Sequence, residues 1–386
     1  MASSFEKELR SRERKLRNWL AQNGYDAAVF LKEEIEAVSG DYLYYGGGMT
    51  SGEYAAIIID SAGAKTAIVH EYSFERVKSS GAFSKVYEIR QSIAELFSVL
   101  QRSVITPEYG NRVAVDSSTI SASSVSYLKQ RNLNAGDLLK EFVFSQRSIK
   151  SEYELKEMES AIAIAKRAFE KTLGGLRQGI TIEEITKKLH ESMIEEGASS
   201  SSFEIDIRLR RGLDESENDQ ISKLERGDLV LFDFGARLSS GYLSDVGRTI
   251  PFGVGRRAKT RDFMERVIEI KRDGLKQIRA GYTGSEVRRR IDRVIAEHGL
   301  ESTHRPGHQI GLNVHEPYGP HLNFGSENER KLRKGNVVTW EPGIGLPGSG
   351  IKGLAKNRFG MAHMEDMVFV GSSGPKVLGS FDLRYW

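Results

Sequence analysis

The sequence predicts an α+β protein of two domains: a smaller α/β domain over residues 1–146 and a larger, internally duplicated domain over residues 147–386. Three observations carry this reading. A chain of 386 residues accommodates two or three domains at about 150 residues each, enough for sizeable cores. The first part alternates short apolar runs with amphipathic stretches, and the second part repeats itself.

In the first part, Leu9, Leu16, Trp19 and Leu20 give helical spacing across Glu6–Asn23, and Asn23-Gly24 stops that helix. Ala27–Leu31, Ala55–Asp60 and Lys65–Val69 are apolar runs of strand length, and helices are expected over Ile93–Ser103 and Ser121–Gln130. Gly46-Gly47-Gly48 lacks the rest of a phosphate-loop motif and reads as a turn. No chemistry is visible in this part.

From Ile149 the pattern changes. Glu152–Leu176 reads as a long amphipathic helix. The stretch Arg177–Gly197 then aligns without gaps on Arg279–Gly299, each copy holding a glycine turn, a capping box (Thr181/Glu184 and Thr283/Glu286) and a helix closed by glycine. A second pair follows, Arg226–Gly235 on Lys334–Gly343. Each is a turn, a buried-type strand, a carboxylate at its end (Asp233, Glu341) and a glycine two residues on. A further carboxylate then follows in each copy, Asp245 and Glu365. The order helix, carboxylate, carboxylate therefore occurs twice, the mark of a duplicated half-domain.

Composition bounds the chemistry. With 39% hydrophobic and 28% charged residues the chain is of ordinary globular type. Its 56 basic and 53 acidic residues leave a net +3, a balance that argues against a dedicated nucleic-acid binder. Local basic clusters occur at Arg208–Arg211, Arg256–Arg261 and Arg288–Arg290; the last lies on an expected helix whose apolar residues Val287, Ile291, Val294 and Ile295 face elsewhere, and reads as a solvated helix face. The polar N-terminus and the lack of an apolar run of roughly 18 residues point to a cytoplasmic chain with no membrane partner. Zero cysteines exclude disulfides, thiolate metal sites and a thiol nucleophile, so any metal must sit on carboxylates and imidazoles.

If the two halves pack about a pseudo-twofold axis, Asp233, Asp245, Glu341 and Glu365 converge. Four gathered anions need cations or protons. Five of the eight histidines, His304, His308, His315, His321 and His363, fall in one stretch, and His308 and His315 lie in a glycine-rich segment suited to close approach to a ligand. Carboxylates plus imidazole without thiolate favour Mn²⁺, Co²⁺, Fe²⁺ or Zn²⁺. So many carboxylates suit two ions, a pair that activates water for hydrolysis.

Residues 150–386 resemble the pita-bread metallopeptidases: prolidase, Xaa-Pro aminopeptidase, methionine aminopeptidase and the metal-free creatinase. The matching motifs are Gly227-Asp228…Asp233-Phe234-Gly235, Gly241-Tyr242…Ser244-Asp245…Arg248-Thr249, Gly307-His308…Gly311-Leu312…His315-Glu316-Pro317, Glu341-Pro342-Gly343 and Met364-Glu365-Asp366. The preceding α/β part, with Lys150-Ser151 at the junction, is similar to the extra domain of the prolidase and creatinase branch. The resemblance implies Asp233, Asp245, His308, Glu341 and Glu365 as metal ligands. It also implies Glu341 as general base and His315 as an imidazole contacting the substrate carbonyl or tetrahedral intermediate.

Three departures stand out. The family's upstream catalytic histidine has no counterpart in Leu213–Gln220, whose acidic loop 214–219 has no assigned role. The interval from Asp233 to Asp245 is one residue longer than usual, and a usual Thr-Arg-Thr reads Gly247-Arg248-Thr249. The arginine expected two residues before the last glutamate is His363, a residue expected to meet substrate alongside His315.

The leading expectation is a dinuclear-metal Xaa-Pro dipeptidase or aminopeptidase, using manganese or cobalt, with zinc or iron as alternatives. A homodimer and short-peptide substrates go with it. A second reading is the same fold cleaving a non-peptide C–N bond of a small cyclic amidine or amide. A third is a catalytically silent binding protein.

Overall fold

The computed structural model describes residues 3–33, 40–46, 54–90, 92–104, 112–116, 120–130, 137–211, 213, 222–253, 258–316, 322–347, 360–379 and 381–382. The chain forms two compact units, one comprising Met1–Arg147 and the other Ser148–Glu316 together with the C-terminal part of the chain.

The first unit is built on a five-stranded mixed sheet. Its strands lie in the order Lys85–Ile89, Lys65–His70, Ala55–Asp60, Ala27–Lys32, Val113–Val115. The three central strands pair antiparallel, and the two outer pairings are parallel. Strands Ala27–Lys32 and Ala55–Asp60 are buried at every position, as expected for apolar runs at the centre of a sheet. Helix Ser4–Asn23 starts on a Ser3/Glu6 capping box and ends at Gly24, whose φ of 72° lies in the left-handed region that glycine adopts without steric cost. Helices Ile93–Val104 and Ala122–Lys129 fall where their spacing predicts.

Some elements were not legible in the sequence. Lys85–Ile89 alternates between exposed and partly buried residues before the buried Ile89 at the sheet edge, and Val113–Val115, though apolar, is only three residues long, so neither gives an apolar run of strand length. Gly46 ends the short helix Gly40–Gly46. Gly47 and Gly48 lie outside the described residues, as does the acidic loop 214–219.

In the second unit the duplication is visible in the hydrogen bonding. Helices Glu152–Leu173 and Ile182–Glu195 form the first copy, and Ala258–Leu275 and Gly284–Glu297 the second. Both expected capping boxes, Thr181/Glu184 and Thr283/Glu286, are formed. In the first copy Gly179 donates to the Leu224 carbonyl (2.7 Å) and Leu224 donates to Ile180 (2.9 Å). In the second Gly281 donates to Leu332 (2.8 Å) and Leu332 to Tyr282 (2.8 Å). The same turn is thus tied to the same strand entry twice.

Each half has its own core. In the first, Phe169 packs on Phe232 and Phe234 at ring separations of 5.1 and 5.2 Å. In the second, Trp340 is fully buried with Phe263, Val267 and Ile291, and its indole N–H donates to the Lys271 carbonyl at 2.9 Å. Strands Asp206–Arg211, Asp228–Phe234 and Val246–Pro251 form an antiparallel sheet with Asp228–Phe234 in the middle. Val337–Trp340 and Asp366–Val370 pair antiparallel in the second half. No described helix is long and apolar enough to cross a membrane.

The Arg208–Arg211 cluster is largely paired, and the Arg288–Arg290 cluster combines a paired Arg288 with an exposed Arg289. Arg208 meets Asp206 at 2.8 Å, Arg211 meets Asp228 at 3.0 Å, and Arg210 is buried. Arg288 meets Asp292 at 2.7 Å and donates to the His304 carbonyl at 3.0 Å. Arg256 and Arg257 lie outside the described residues, and Lys259 and Arg261 are exposed.

Candidate metal centre

The four carboxylates sit at the ends of the duplicated strands, and the two halves meet there. Asp233 lies in the central strand, directly opposite Asp206 on one neighbour and Gly247 on the other. Asp245 immediately precedes the strand Val246–Pro251, and Glu365 immediately precedes its counterpart Asp366–Val370. Glu341 follows Val337–Trp340. Across the halves, Glu365 donates its N–H to the Gly247 carbonyl at 2.8 Å, and Gly247 donates back at 3.3 Å.

His308 is fixed by backbone bonds to the second half. It donates its N–H to Thr339 Oγ1 (3.1 Å) and accepts from the Thr339 N–H (2.7 Å). Its Nδ1 is 3.2 Å from the Gln309 carbonyl. The tautomer that donates there leaves the Nε2 lone pair facing Asp245 Oδ2 at 3.5 Å and Glu341 Oε1 at 3.3 Å, the orientation a metal-binding imidazole takes. Thr339 Oγ1 also donates to Glu341 Oε1 at 3.2 Å. His315 is exposed, with its ring 4.2 Å from that of His308. His304, which had no assigned role, places Nε2 3.3 Å from Glu341 Oε2. His321 lies outside the described residues.

Electrostatics separates the carboxylates. Burial pushes the Glu365 carboxyl well above the usual range, and repulsion from Asp245, Glu341 and Asp233 adds to this against the opposing field of Lys271. Glu341 moves the other way. Burial alone would raise it, but the hydrogen bond from His304 and the fields of His308, His304 and His363 together hold it below the usual range.

The donor set fits a pair of cations. Two three-residue groups, Asp233/His363/Glu365 and Asp245/His308/Glu365, each offer ligand atoms within 4.8 Å of one another, and both use Glu365. Glu365 Oε1 is buried and has no hydrogen-bond partner among the described residues. An unsatisfied buried carboxylate oxygen costs roughly 1–3 kcal/mol or more, a penalty that coordination removes.

Residues 156–372 match the model of metallopeptidase family M24, and residues 12–143 match the creatinase/prolidase N-terminal domain. The chain belongs to metallopeptidase family M24. It is 27% identical over 374 residues to an Xaa-Pro dipeptidase of Pyrococcus horikoshii, covering 95% of each chain. Among solved structures it is similar to the prolidase of P. horikoshii OT3, with a TM-score of 0.74 and 25% identity over 96% of this chain and 99% of that one. It is also similar to an X-Pro aminopeptidase from Thermotoga maritima, with a TM-score of 0.77 and 25% identity over 96% and 98% of the two chains. Metallopeptidase family M24 is dinuclear metal-dependent, and this chain carries candidate acidic and histidine metal-binding groups.

The candidate donor cluster opens into a cleft of about 700 Å³. Asp233, Asp245, His308, His315, Glu341 and Glu365 all line it. His363, expected to meet substrate, is fully buried and is not part of the described lining. Phe203, Asp206, His304 and Arg305 are lining residues that sequence reasoning did not assign. His304 could have been found as the histidine four residues before His308; Phe203 carries no comparable signal.

The glycines of the His308 segment make room for packing rather than for a ligand. A Cβ on Gly307 would meet the Thr339 carbonyl oxygen at 2.3 Å, and one on Gly311 would meet Glu316 Oε1 at 2.4 Å. Behind the candidate donor cluster, Asp366 accepts from Arg248 (2.6 Å) and Lys271 (3.1 Å), both buried. Lys271 also donates to the carbonyls of Met364 (2.9 Å) and Trp340. These contacts fix the backbone on both sides of Glu365 and just before Glu341.

Proposed function

We propose that this protein is a dinuclear-metal peptidase that cleaves short peptides before proline, with Asp233, Asp245, His308, Glu341 and Glu365 holding the two ions. The single observation that supports the metal pair is the meeting of two three-donor groups, Asp233/His363/Glu365 and Asp245/His308/Glu365, on Glu365, whose Oε1 has no hydrogen-bond partner among the described residues. The Xaa-Pro dipeptidase and aminopeptidase relatives, matched over nearly the full length, support the substrate class.

When bound, the ions would acidify the attacking water and supply Lewis acidity at the scissile carbonyl. The remaining work falls to the chain. Glu341, kept ionised by its histidine neighbours, accepts the proton of the attacking water. His304 holds its Oε2 and Thr339 its Oε1, so the carboxylate is aimed rather than free to rotate. His315, exposed beside His308, donates to the substrate carbonyl as charge develops on its oxygen. A cleft of about 700 Å³ suits a peptide of a few residues. Manganese or cobalt as the resident ions, and a homodimeric, cytoplasmic protein, complete the proposal.

The test is release of proline from Ala-Pro and Gly-Pro by protein loaded with Mn²⁺ or Co²⁺. Turnover of these dipeptides, and its loss on chelation, is the expected result. Intact peptides across a panel of Xaa-Pro substrates with metal-loaded protein would overturn the peptidase reading and favour a non-peptide C–N bond.

A further inference from the structure

Two of this chain's departures from the family pattern, Gly247 and His363, meet in space. A Cβ on Gly247 would lie 2.4 Å from His363 Cδ2 and 2.5 Å from His363 Nε2. Any side chain at 247 would occupy the space of the imidazole, so the glycine is what admits the histidine. Thr249 then clamps the histidine backbone, accepting from the His363 N–H at 2.8 Å and donating to its carbonyl at 3.0 Å. Arg248 donates to the Glu365 carbonyl at 2.6 Å. The segment Gly247-Arg248-Thr249 therefore builds and holds a seat for His363.

That seat lies at the metal centre. His363 is fully buried, and its Nε2 is 3.4 Å from Glu365 Oε2. It forms with Asp233 and Glu365 one of the two three-donor groups, and His308 forms the other with Asp245 and Glu365. Gly247 stands directly opposite Asp233 in the sheet and pairs with Glu365 across the halves, so the glycine that makes room for His363 is a backbone neighbour of the other two donors.

We propose that His363 is a sixth protein ligand of this centre, so that each of the two ions receives one imidazole, His308 on the Asp245 side and His363 on the Asp233 side. The inference rests on the dinuclear reading of the site. A buried imidazole in place of a fixed guanidinium replaces a positive charge that opposes a cation with a neutral donor that binds one. It also shifts the preference of the Asp233-side ion from hard Mn²⁺ towards the borderline ions Co²⁺ and Zn²⁺.

The test is a calorimetric titration of chelator-stripped full-length protein with Co²⁺ and Zn²⁺, for wild type and His363→Asn, together with imidazole ¹⁵N spectra of histidine-labelled wild type during Zn²⁺ addition. The expected result is two sites in wild type and, in the variant, one retained site and one weakened by about ten-fold or more. In the wild-type spectra two buried imidazoles, assigned to His308 and His363, take on coordinated shifts. Unchanged affinity at both sites of His363→Asn, or spectra in which His308 responds and His363 does not, would overturn the proposal. If the variant does not fold, the wild-type spectra decide. Wild type that binds no ion would overturn the dinuclear reading itself and the inference with it, whereas two wild-type ions with an unresponsive His363 would leave that reading standing and sink only the sixth ligand.

Discussion

Gly247 and Glu365 exchange backbone hydrogen bonds across the two halves of the duplicated domain, at 2.8 and 3.3 Å, while the open Cα of Gly247 leaves room for the ring of His363. One position thus joins the halves and shapes the donor set. Gly247→Ala should destabilise the protein by about 1–3 kcal/mol through overpacking. In a His363→Ala background the same change should cost less, and a double-mutant cycle by denaturant unfolding reads the coupling. Additive effects would show that the two residues do not compete for space.

Lys271 gives a pH signature. Burial lowers its ammonium from the ordinary 10.5 to about 8, against the opposing pull of Asp366. Between these values the unfolded chain holds more protons than the folded one, so this group makes stability rise with pH from about 8 to 10.5, by on the order of 3 kcal/mol in total. Lys271→Met should flatten that slope. Unfolding free energies measured at several pH values across the window test this, and parallel curves for both proteins would contradict it.

Lys150 and Glu316 form a fully buried pair at 2.5 Å, and Glu316 Oε1 also accepts from the Leu312 N–H at 2.6 Å. The pair anchors the segment that carries His315. Removing one charge leaves the other buried, so Lys150→Met should cost about 3–5 kcal/mol and lower kcat through a misplaced His315. Thermal melts and steady-state kinetics check both effects. A wild-type melting temperature would show that the pair is not an anchor.

Much of this was legible in the sequence where the signal was local. Capping boxes at Thr181 and Thr283, and the strands ending in Asp233 and Glu341, follow from short-range rules, and repetition made them a fold. What stayed hidden depends on contacts between distant positions. Lys271 is a single lysine on an apolar helix face, and only its burial against Asp366, Met364 and Trp340 reveals its work. His363 could be read as an altered substrate contact until the space left by Gly247, 116 residues earlier, showed its ring set among the donors.

Glu341→Gln keeps the shape of the side chain and removes its basicity. It should lower kcat by about 10²–10⁴-fold with little change in melting temperature in the absence of metal. Retained activity would move the general base elsewhere, with His304 the nearest alternative on the cleft wall.

The central claim is that the two halves together hold a pair of ions, and metal analysis of protein purified without chelator tests it most directly. About two ions per chain, with a rise in melting temperature when Mn²⁺ is returned to stripped protein, is the predicted result. Less than about a tenth of an ion per chain, with no shift on adding Mn²⁺ or Co²⁺, would contradict it.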